Sequence, residues 1–196
     1  MFINYALNEI QFKIVYYGPG LSGKTTNLIY IHNNLDKKLK GDLIKIETKE
    51  ERTLYFDFMQ MELGSIKGKK PKFNLYTVPG QVSYSISRKL ILNGADGIVF
   101  VADSQKERID ENLETLYDLE LNLISIGETL QTFPWVLQYN KRDLPNCSNI
   151  EKLQKKLNFH RVPYFTSVAS KGIGVVPTLK SIINQVISKL QVPVKN

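Results

Sequence analysis

Apolar runs and amphipathic helical stretches alternate along this chain. Residues 98–102 form an unbroken apolar run, typical of a strand covered on both faces, and three further runs are candidate strands: residues 12–17, 135–139 and 162–165. The clearest helix lies near the C-terminus, where apolar residues recur at intervals of three and four: Leu179, Ile182, Ile183, Val186, Ile187 and Leu190. This alternation predicts a mostly parallel sheet covered by helices.

Two further helices are predicted between these strands. One carries an apolar stripe made of Leu113, Leu116, Tyr117, Leu121 and Ile124. The other begins with a capping box, in which Ser148 and Glu151 satisfy free N–H groups of the first turn. Both segments are therefore expected to be helices that connect successive strands.

The middle of the chain has a different pattern. Residues 53–59 and 73–78 are two candidate strands joined by a basic turn, and residues 2–6 are a candidate short strand. We therefore expect an α/β fold with a mostly parallel central sheet, one antiparallel edge hairpin and helices on both faces. No repeat or linker interrupts the pattern, so residues 1–196 are predicted to form a single domain.

A glycine-rich segment directly follows the first long strand. Residues 18–25 fit the pattern G-x-x-x-x-G-K-[ST] of a phosphate-binding loop. Glycines let the backbone wrap around a phosphate, and the loop N–H groups and the helix dipole then face the anion. We expect Lys24 to reach the β- and γ-phosphates and the Thr25 hydroxyl to bind Mg²⁺. The expected phosphate-binding residues are Gly18, Pro19, Gly20, Leu21, Ser22, Gly23, Lys24, Thr25 and Thr26.

A base-recognition motif follows a later strand. Asn140, Lys141 and Asp143 have the N-K-x-D spacing, and the Asp143 carboxylate can accept from both N–H groups of the guanine Watson–Crick edge. Adenine lacks this pair of donors, so guanine is favoured. The Lys141 stem can cover the purine face, and Asn140 can join this loop to the phosphate loop. A last loop is expected to contribute Val168, Ala169 and Ser170, with the Ala169 N–H facing the guanine O6.

The net charge of +7 permits binding to nucleic acid, an anionic membrane or an acidic partner, and does not choose among them. The densest basic cluster, residues 67–72, lies at the predicted hairpin turn, where a solvated tip is the simplest interpretation. No recognised nucleic-acid motif accompanies the charge, so no nucleic-acid partner is expected. The chain shows no membrane span, signal peptide or lipidation motif, and its single cysteine is Cys147. We expect a cytoplasmic protein without a membrane anchor.

These motifs, in this order, resemble those of the Ras-like small GTPases, and more closely those of the bacterial MglA family of gliding-motility and cell-polarity GTPases. The resemblance runs nearly end to end and is carried by residues 12–28, 51–58, 76–82, 87–92 and 96–104. It implies a switch, monomeric by itself, that binds GTP or GDP with Mg²⁺ and slowly hydrolyses GTP. Such a switch would control cell polarity and gliding or related motility through effectors, with recruitment to a cell pole.

One position departs from the wider superfamily. Most small GTPases carry D-x-x-G before the second switch, whereas this chain has Thr77 in place of the Asp, with Gly80 in register. MglA-like proteins share this replacement, which offers Mg²⁺ a neutral hydroxyl instead of a carboxylate. We therefore expect Mg²⁺ to be held mainly by Thr25, the nucleotide phosphates and, in the GTP state, Thr53. The Gly80 N–H would meet the γ-phosphate.

The resemblance also implies two catalytic residues. Gln81 would position the attacking water, and Arg52 would supply an arginine finger in cis, although the residues alone equally permit pairing of Arg52 with Glu50 or Glu51. Residues 36–52 are polar and Lys-rich, as in a mobile first switch or an ordinary surface loop. The family's GTPase-activating partner is an MglB-like dimer of Roadblock type, which positions the switch residues.

Three other functions compete with this interpretation. The chain could be a GTP-bound scaffold with little turnover. It could be an ATPase or kinase, against which Asp143 argues, or it could bind nucleic acid through its net charge.

Overall fold

The computed structural model describes residues 1–47, 55–80 and 85–190. The strands that form within these residues belong to one sheet: β1 (Phe2–Asn4), β2 (Glu9–Tyr17), β3 (Ile44–Glu47), β4 (Tyr55–Glu62), β5 (Lys70–Thr77), β6 (Gly97–Asp103), β7 (Trp135–Asn140) and β8 (Tyr164–Thr166). Their order is β3-β4-β5-β2-β6-β7-β8, and β1 pairs with β2. The pairs from β5 through β2, β6 and β7 to β8 are parallel. The predicted α/β class is confirmed.

The antiparallel hairpin of β4 and β5 is present, but it does not end the sheet. Strand β3 pairs antiparallel with β4, with Ile44 opposite Phe58, so β3 is the outer strand. It lies within residues 36–52, which the sequence pattern assigned to a first switch or a surface loop. Pairing of β3 satisfies backbone groups that an open β4 edge would leave without partners.

Five helices cover the sheet within the described residues: α1 (Lys24–Asn34), α2 (Ser85–Leu92), α3 (Ile109–Ile124), α4 (Ile150–Leu157) and α5 (Val175–Lys189). Helices α1 and α5 pack on one face, and α2, α3 and α4 pack on the other. The apolar stripe predicted for the C-terminal helix is buried at Leu179, Ile182, Ile183 and Val186. No described helix has both the length and the apolar character needed to cross a membrane.

The stripe predicted for α3 is only partly on the buried face. Leu116 is buried and Leu113 packs against the core, as predicted. Tyr117, Leu121 and Ile124 are exposed instead, and the buried face includes Leu119 and Leu123. The buried face of α3 also contains a polar residue, Asn112. Its amide donates to the backbone oxygen of Asp103 and accepts from the backbone N–H of the same residue. A polar residue whose hydrogen bonds are satisfied can be buried, and this interrupts the apolar period.

The predicted capping box of α4 is replaced by a cap one residue later. Asn149 is the N-cap, and its side-chain oxygen accepts from the Lys152 N–H at 2.8 Å. Asn is among the best N-cap residues, so the shift changes the cap and leaves the helix in place.

Candidate functional site

The phosphate loop lies between β2 and α1, as predicted, and close packing requires glycine at two of its positions, Gly18 and Gly23. A Cβ on Gly18 would lie 2.2 Å from the Val101 carbonyl oxygen, and one on Gly23 would lie 2.2 Å from the Asn140 side-chain nitrogen. Both glycines also have positive φ, at 138° and 104°. The loop is therefore seated directly against the ends of β6 and β7.

Lys24 lies beneath this loop. Its ammonium group donates to the carbonyl oxygens of Gly18 at 2.8 Å and Pro19 at 2.7 Å, and the side chain is buried. Burial lowers the pKa of Lys24 to about 7, and the positive charge of Arg88 acts in the same direction. An anion held by the loop would favour the charged form of Lys24.

Thr25 has an acidic partner that the sequence motifs did not indicate. Asp57 on β4 accepts from the Thr25 hydroxyl at 2.5 Å and from the Thr77 hydroxyl at 3.0 Å. The Asp57 N–H donates to the Thr77 oxygen at 2.8 Å, because the two residues lie opposite each other across the β4–β5 pair. The expectation that Thr77 leaves Thr25 without a carboxylate opposite it is therefore corrected.

The residues at this end of the site fit a magnesium ion. Thr25, Asp57 and Thr77 line a cavity of about 220 Å³ together with Lys24 and Gly80. Hydroxyl and carboxylate oxygens are hard donors that suit Mg²⁺. Within the described ranges no group of three or more acidic, histidine or cysteine side chains is placed to hold a metal ion.

Gly80 lies against the phosphate loop. A Cβ at this position would lie 2.3 Å from the Gly20 Cα, so only glycine fits there. The remaining predicted switch and catalytic residues, Arg52, Thr53 and Gln81, lie outside the described residues.

Asn140 joins three loops. Its side-chain nitrogen donates to the Ser22 carbonyl oxygen at 2.7 Å, and its side-chain oxygen accepts from the Ser167 hydroxyl at 3.0 Å and the Ala169 N–H at 2.9 Å. The contact between Asn140 and the phosphate loop is thus present. The Ala169 N–H, which was expected to face a guanine O6, is directed to the Asn140 side chain.

A second cavity, of about 270 Å³, lies beside Asn140. All six residues predicted to contact the base line it: Asn140, Lys141, Asp143, Val168, Ala169 and Ser170. Leu21, Gly23 and Thr26 line the same cavity, so the base-recognition residues and the phosphate loop share one pocket. The Asp143 carboxylate is about one-third exposed and lies 3.5 Å from the Lys171 ammonium.

Two supporting residues were missed by motif reasoning. Asp103, fully buried at the end of β6, accepts from the Lys141 ammonium at 2.6 Å. Arg108 donates to the Gly20 carbonyl oxygen at 2.6 Å and lies 3.8 Å from Asp103. Through these contacts, Asp103 and Arg108 link the loop that carries Lys141 to the phosphate loop. The signal available was a carboxylate that ends an apolar strand at the ligand-binding edge of the sheet.

A parallel sheet with a phosphate loop after β2 and an N-K-x-D loop after β7 defines a small-GTPase domain. Residues 1–186 match the ADP-ribosylation factor family model, so the chain belongs to this family and is a GTPase that binds guanine nucleotides. It is 54% identical over 190 residues to the mutual gliding-motility protein MglA of Myxococcus xanthus, covering 97% of each chain. It is 25% identical over 187 residues to the mouse ADP-ribosylation factor-like protein 4D, covering 92% of this chain and 85% of the relative.

Proposed function

We propose that this GTPase is a nucleotide-dependent switch that controls cell polarity and gliding or related motility through effectors. The observation that supports it most is the Asn140 side chain, which holds the phosphate loop and the base loops in one arrangement. A nucleotide laid across this arrangement would have its phosphates at Lys24 and its base at Asp143.

In this proposal each end of the nucleotide meets different chemistry. The phosphates are bound by the loop N–H groups and by Lys24, while Asp143 accepts from the guanine edge. Mg²⁺, when bound, neutralises charge on the β- and γ-phosphates. Thr25 and Asp57 are the residues that would hold it, with Thr53 joining in the GTP state.

Hydrolysis is assigned to two residues whose roles rest on the resemblance. Gln81 orients the water, and Arg52 offsets charge that develops on the transferred phosphoryl group. Gly80 precedes Gln81 and packs against Gly20, so a bound γ-phosphate and the second switch are adjacent. Loss of the γ-phosphate would release this contact and change the effector surface.

The biological setting is proposed from the relative of Myxococcus xanthus, whose name describes gliding motility. We propose that an MglB-like Roadblock dimer stimulates hydrolysis, and that the protein is a cytoplasmic monomer when alone and is recruited to a cell pole.

Base specificity tests the site itself. Replacement Asp143→Asn exchanges a carboxylate that accepts two N–H groups for an amide that accepts one and donates one, which suits xanthine. Affinity for Mg·GDP should fall about tenfold to hundredfold, because each hydrogen bond to a charged group contributes roughly 1.5–3 kcal/mol. Affinity for Mg·XDP should rise. Displacement of a fluorescent nucleotide by GDP, XDP and ADP measures all three.

Asp42→Asn is the matched control, because Asp42 is exposed and lines neither cavity. It should keep the affinities of the parent. A parent protein that binds ADP as tightly as GDP would contradict the proposal and favour an ATPase or kinase. An Asp143→Asn variant with unchanged GDP affinity would remove Asp143 from base recognition.

A further inference from the structure

Two hairpin tips lie side by side at the end of the sheet opposite the nucleotide site. Residues 5–8 connect β1 to β2, and residues 63–69 connect β4 to β5. Glu9, the first residue of β2, is opposite Asn4 on one side and Lys70 on the other, which places both tips at the start of β2. The phosphate loop follows the other end of β2, about 30 Å away for a strand of this length.

Side-chain and backbone contacts join the two tips into one surface. The Asn8 amide donates to the Gly68 carbonyl oxygen at 2.9 Å and accepts from the Lys69 ammonium at 3.1 Å, and the Asn8 carbonyl oxygen accepts from the Lys70 N–H at 2.9 Å. The Lys69 ammonium also lies 5.1 Å from the centre of the Tyr5 ring. Lys67 and Gly68 have φ of 49° and 76°, as in a tight primed hairpin turn.

This surface exposes large apolar side chains. Phe2, Tyr5 and Leu7 are 62%, 78% and 60% exposed. Single exposed apolar side chains are common, but three grouped on β1 and the tip that follows it are typical of an interaction surface.

The same surface is positively charged. Lys67 and Lys70 are exposed, and Lys69 lies between the tips. Two acids lie nearby: Glu9, which is paired with Lys72 at 2.7 Å and also interacts with Lys70, and Glu62 at the end of β4. Because Lys67, Lys69, Lys70 and Lys72 outnumber these two acids, the surface keeps an excess of two positive charges. We call Phe2, Tyr5, Leu7, Lys67, Lys69 and Lys70 the basic apolar tip.

We propose that the basic apolar tip docks the protein reversibly on an anionic bilayer. Lysines attract anionic headgroups, while aromatic and aliphatic side chains enter the boundary between headgroups and acyl chains. Nucleic acid is disfavoured as the occupant, because single-strand binding needs a groove lined by stacking aromatics. Docking would direct the nucleotide site and the residues near Gly80 away from the lipid.

Vesicle co-sedimentation of the full chain loaded with GDP tests this surface. Vesicles of 70% phosphatidylcholine and 30% phosphatidylglycerol should bind the protein, and binding should weaken with salt, whereas phosphatidylcholine alone should bind little. Lys67→Ala/Lys70→Ala should lower partitioning roughly 25-fold, at about fivefold for each lysine. Tyr5→Ser/Leu7→Ser should also lower it, and no variant should change GDP affinity.

The matched control is Lys155→Ala/Lys156→Ala, which removes the same charge from exposed positions on α4. This pair should bind vesicles like the parent. An equal loss in this control would show that net charge alone drives binding and would overturn the proposal. Binding to single-stranded RNA or polyglutamate without binding to the anionic vesicles would overturn it as well.

Discussion

Asp57 and Thr77 form a pair that no local motif shows. The carboxylate contacts the Thr25 hydroxyl from β4, while the position expected to carry the acid, on β5, carries a hydroxyl instead. Compared with the D-x-x-G pattern, the acidic group of this site therefore lies on the neighbouring strand, β4, and is still beside the phosphate loop.

The first prediction concerns this carboxylate. Asp57→Asn should raise the Mg²⁺ concentration needed to retain GDP by about tenfold or more, because a charge-assisted contact of roughly 1.5–3 kcal/mol becomes a neutral one. Titration of Mg²⁺ against the GDP dissociation rate measures it.

The strand register indicates a second substitution that should restore Mg²⁺ affinity. Thr77→Asp in the Asp57→Asn background should recover much of the Mg²⁺ affinity, since the two side chains lie 3.0 Å apart. Thr77→Asp alone places two carboxylates in contact, and it should lower stability without Mg²⁺. Equal Mg²⁺ dependence of the parent and Asp57→Asn would remove Asp57 from the metal site.

The second prediction concerns the hydrogen bonds of the Asn140 side chain. Asn140→Ala removes three hydrogen bonds, so the free energy of unfolding should fall by about 3 kcal/mol, and GDP affinity should fall at least tenfold. Urea unfolding of nucleotide-free protein and GDP titration separate the two effects.

Asn158 is the control for this change. It is also buried, and its amide makes three hydrogen bonds, with Gln154 and Val162, away from both cavities. Asn158→Ala should lower stability by a similar amount while GDP affinity stays unchanged. Loss of GDP affinity in both variants would mean that Asn140 acts through general stability alone.

Sequence motifs can assign residues to a candidate site where the contacts are local. The phosphate loop and Asn140 through Asp143 could be assigned because each motif occupies a few consecutive residues beside a strand. Asp57 could not be assigned, because its contact with Thr25 depends on the β4–β5 register and on α1 packing. The direction of the Ala169 N–H toward Asn140 likewise needs three-dimensional placement.

For the helices, the spacing of apolar residues predicted where each helix lies more accurately than it predicted which of its faces is buried. Helix α5 is buried where its stripe predicts, because its apolar residues form one continuous face. Helix α3 has apolar residues on two faces, and hydrogen-bonded Asn112 lies on the buried one. Only packing against β6 distinguishes the two faces.

The cap of α4 is the third prediction. Asn149→Ala should lower the free energy of unfolding by about 1 kcal/mol, the usual contribution of an N-cap side chain. Glu151→Ala, which would remove the reciprocal partner of a capping box, should change it by less than about 0.5 kcal/mol. Urea unfolding measures both, and a larger loss in Glu151→Ala would indicate that Ser148 and Glu151 form the cap.

At the scale of the whole molecule, ligand binding should be visible as stability. The fourth prediction is that Mg·GDP at a hundred times its dissociation constant adds about 2.7 kcal/mol and raises Tm by about 5–10 °C. EDTA should remove most of this shift, because Thr25 and Asp57 then lose the ion. Differential scanning calorimetry measures Tm, and a Tm that changes with neither Mg·GDP nor EDTA would contradict the proposed site.

The alternation of strands and helices also predicted the α/β architecture, whereas β3 was missed because four residues in a polar segment carry little signal. A single domain over residues 1–196 stays a prediction.

Phosphate release from GTP, measured with and without an MglB-like dimer, tests the switch most directly. Release should be slow for the protein alone and at least tenfold faster with the dimer, and ATP should not be hydrolysed. Gln81→Leu and Arg52→Ala should still bind GTP but lower the stimulated rate, by about a thousandfold or more for Arg52→Ala. Release that the dimer leaves unchanged, or that both variants retain in full, would contradict the account.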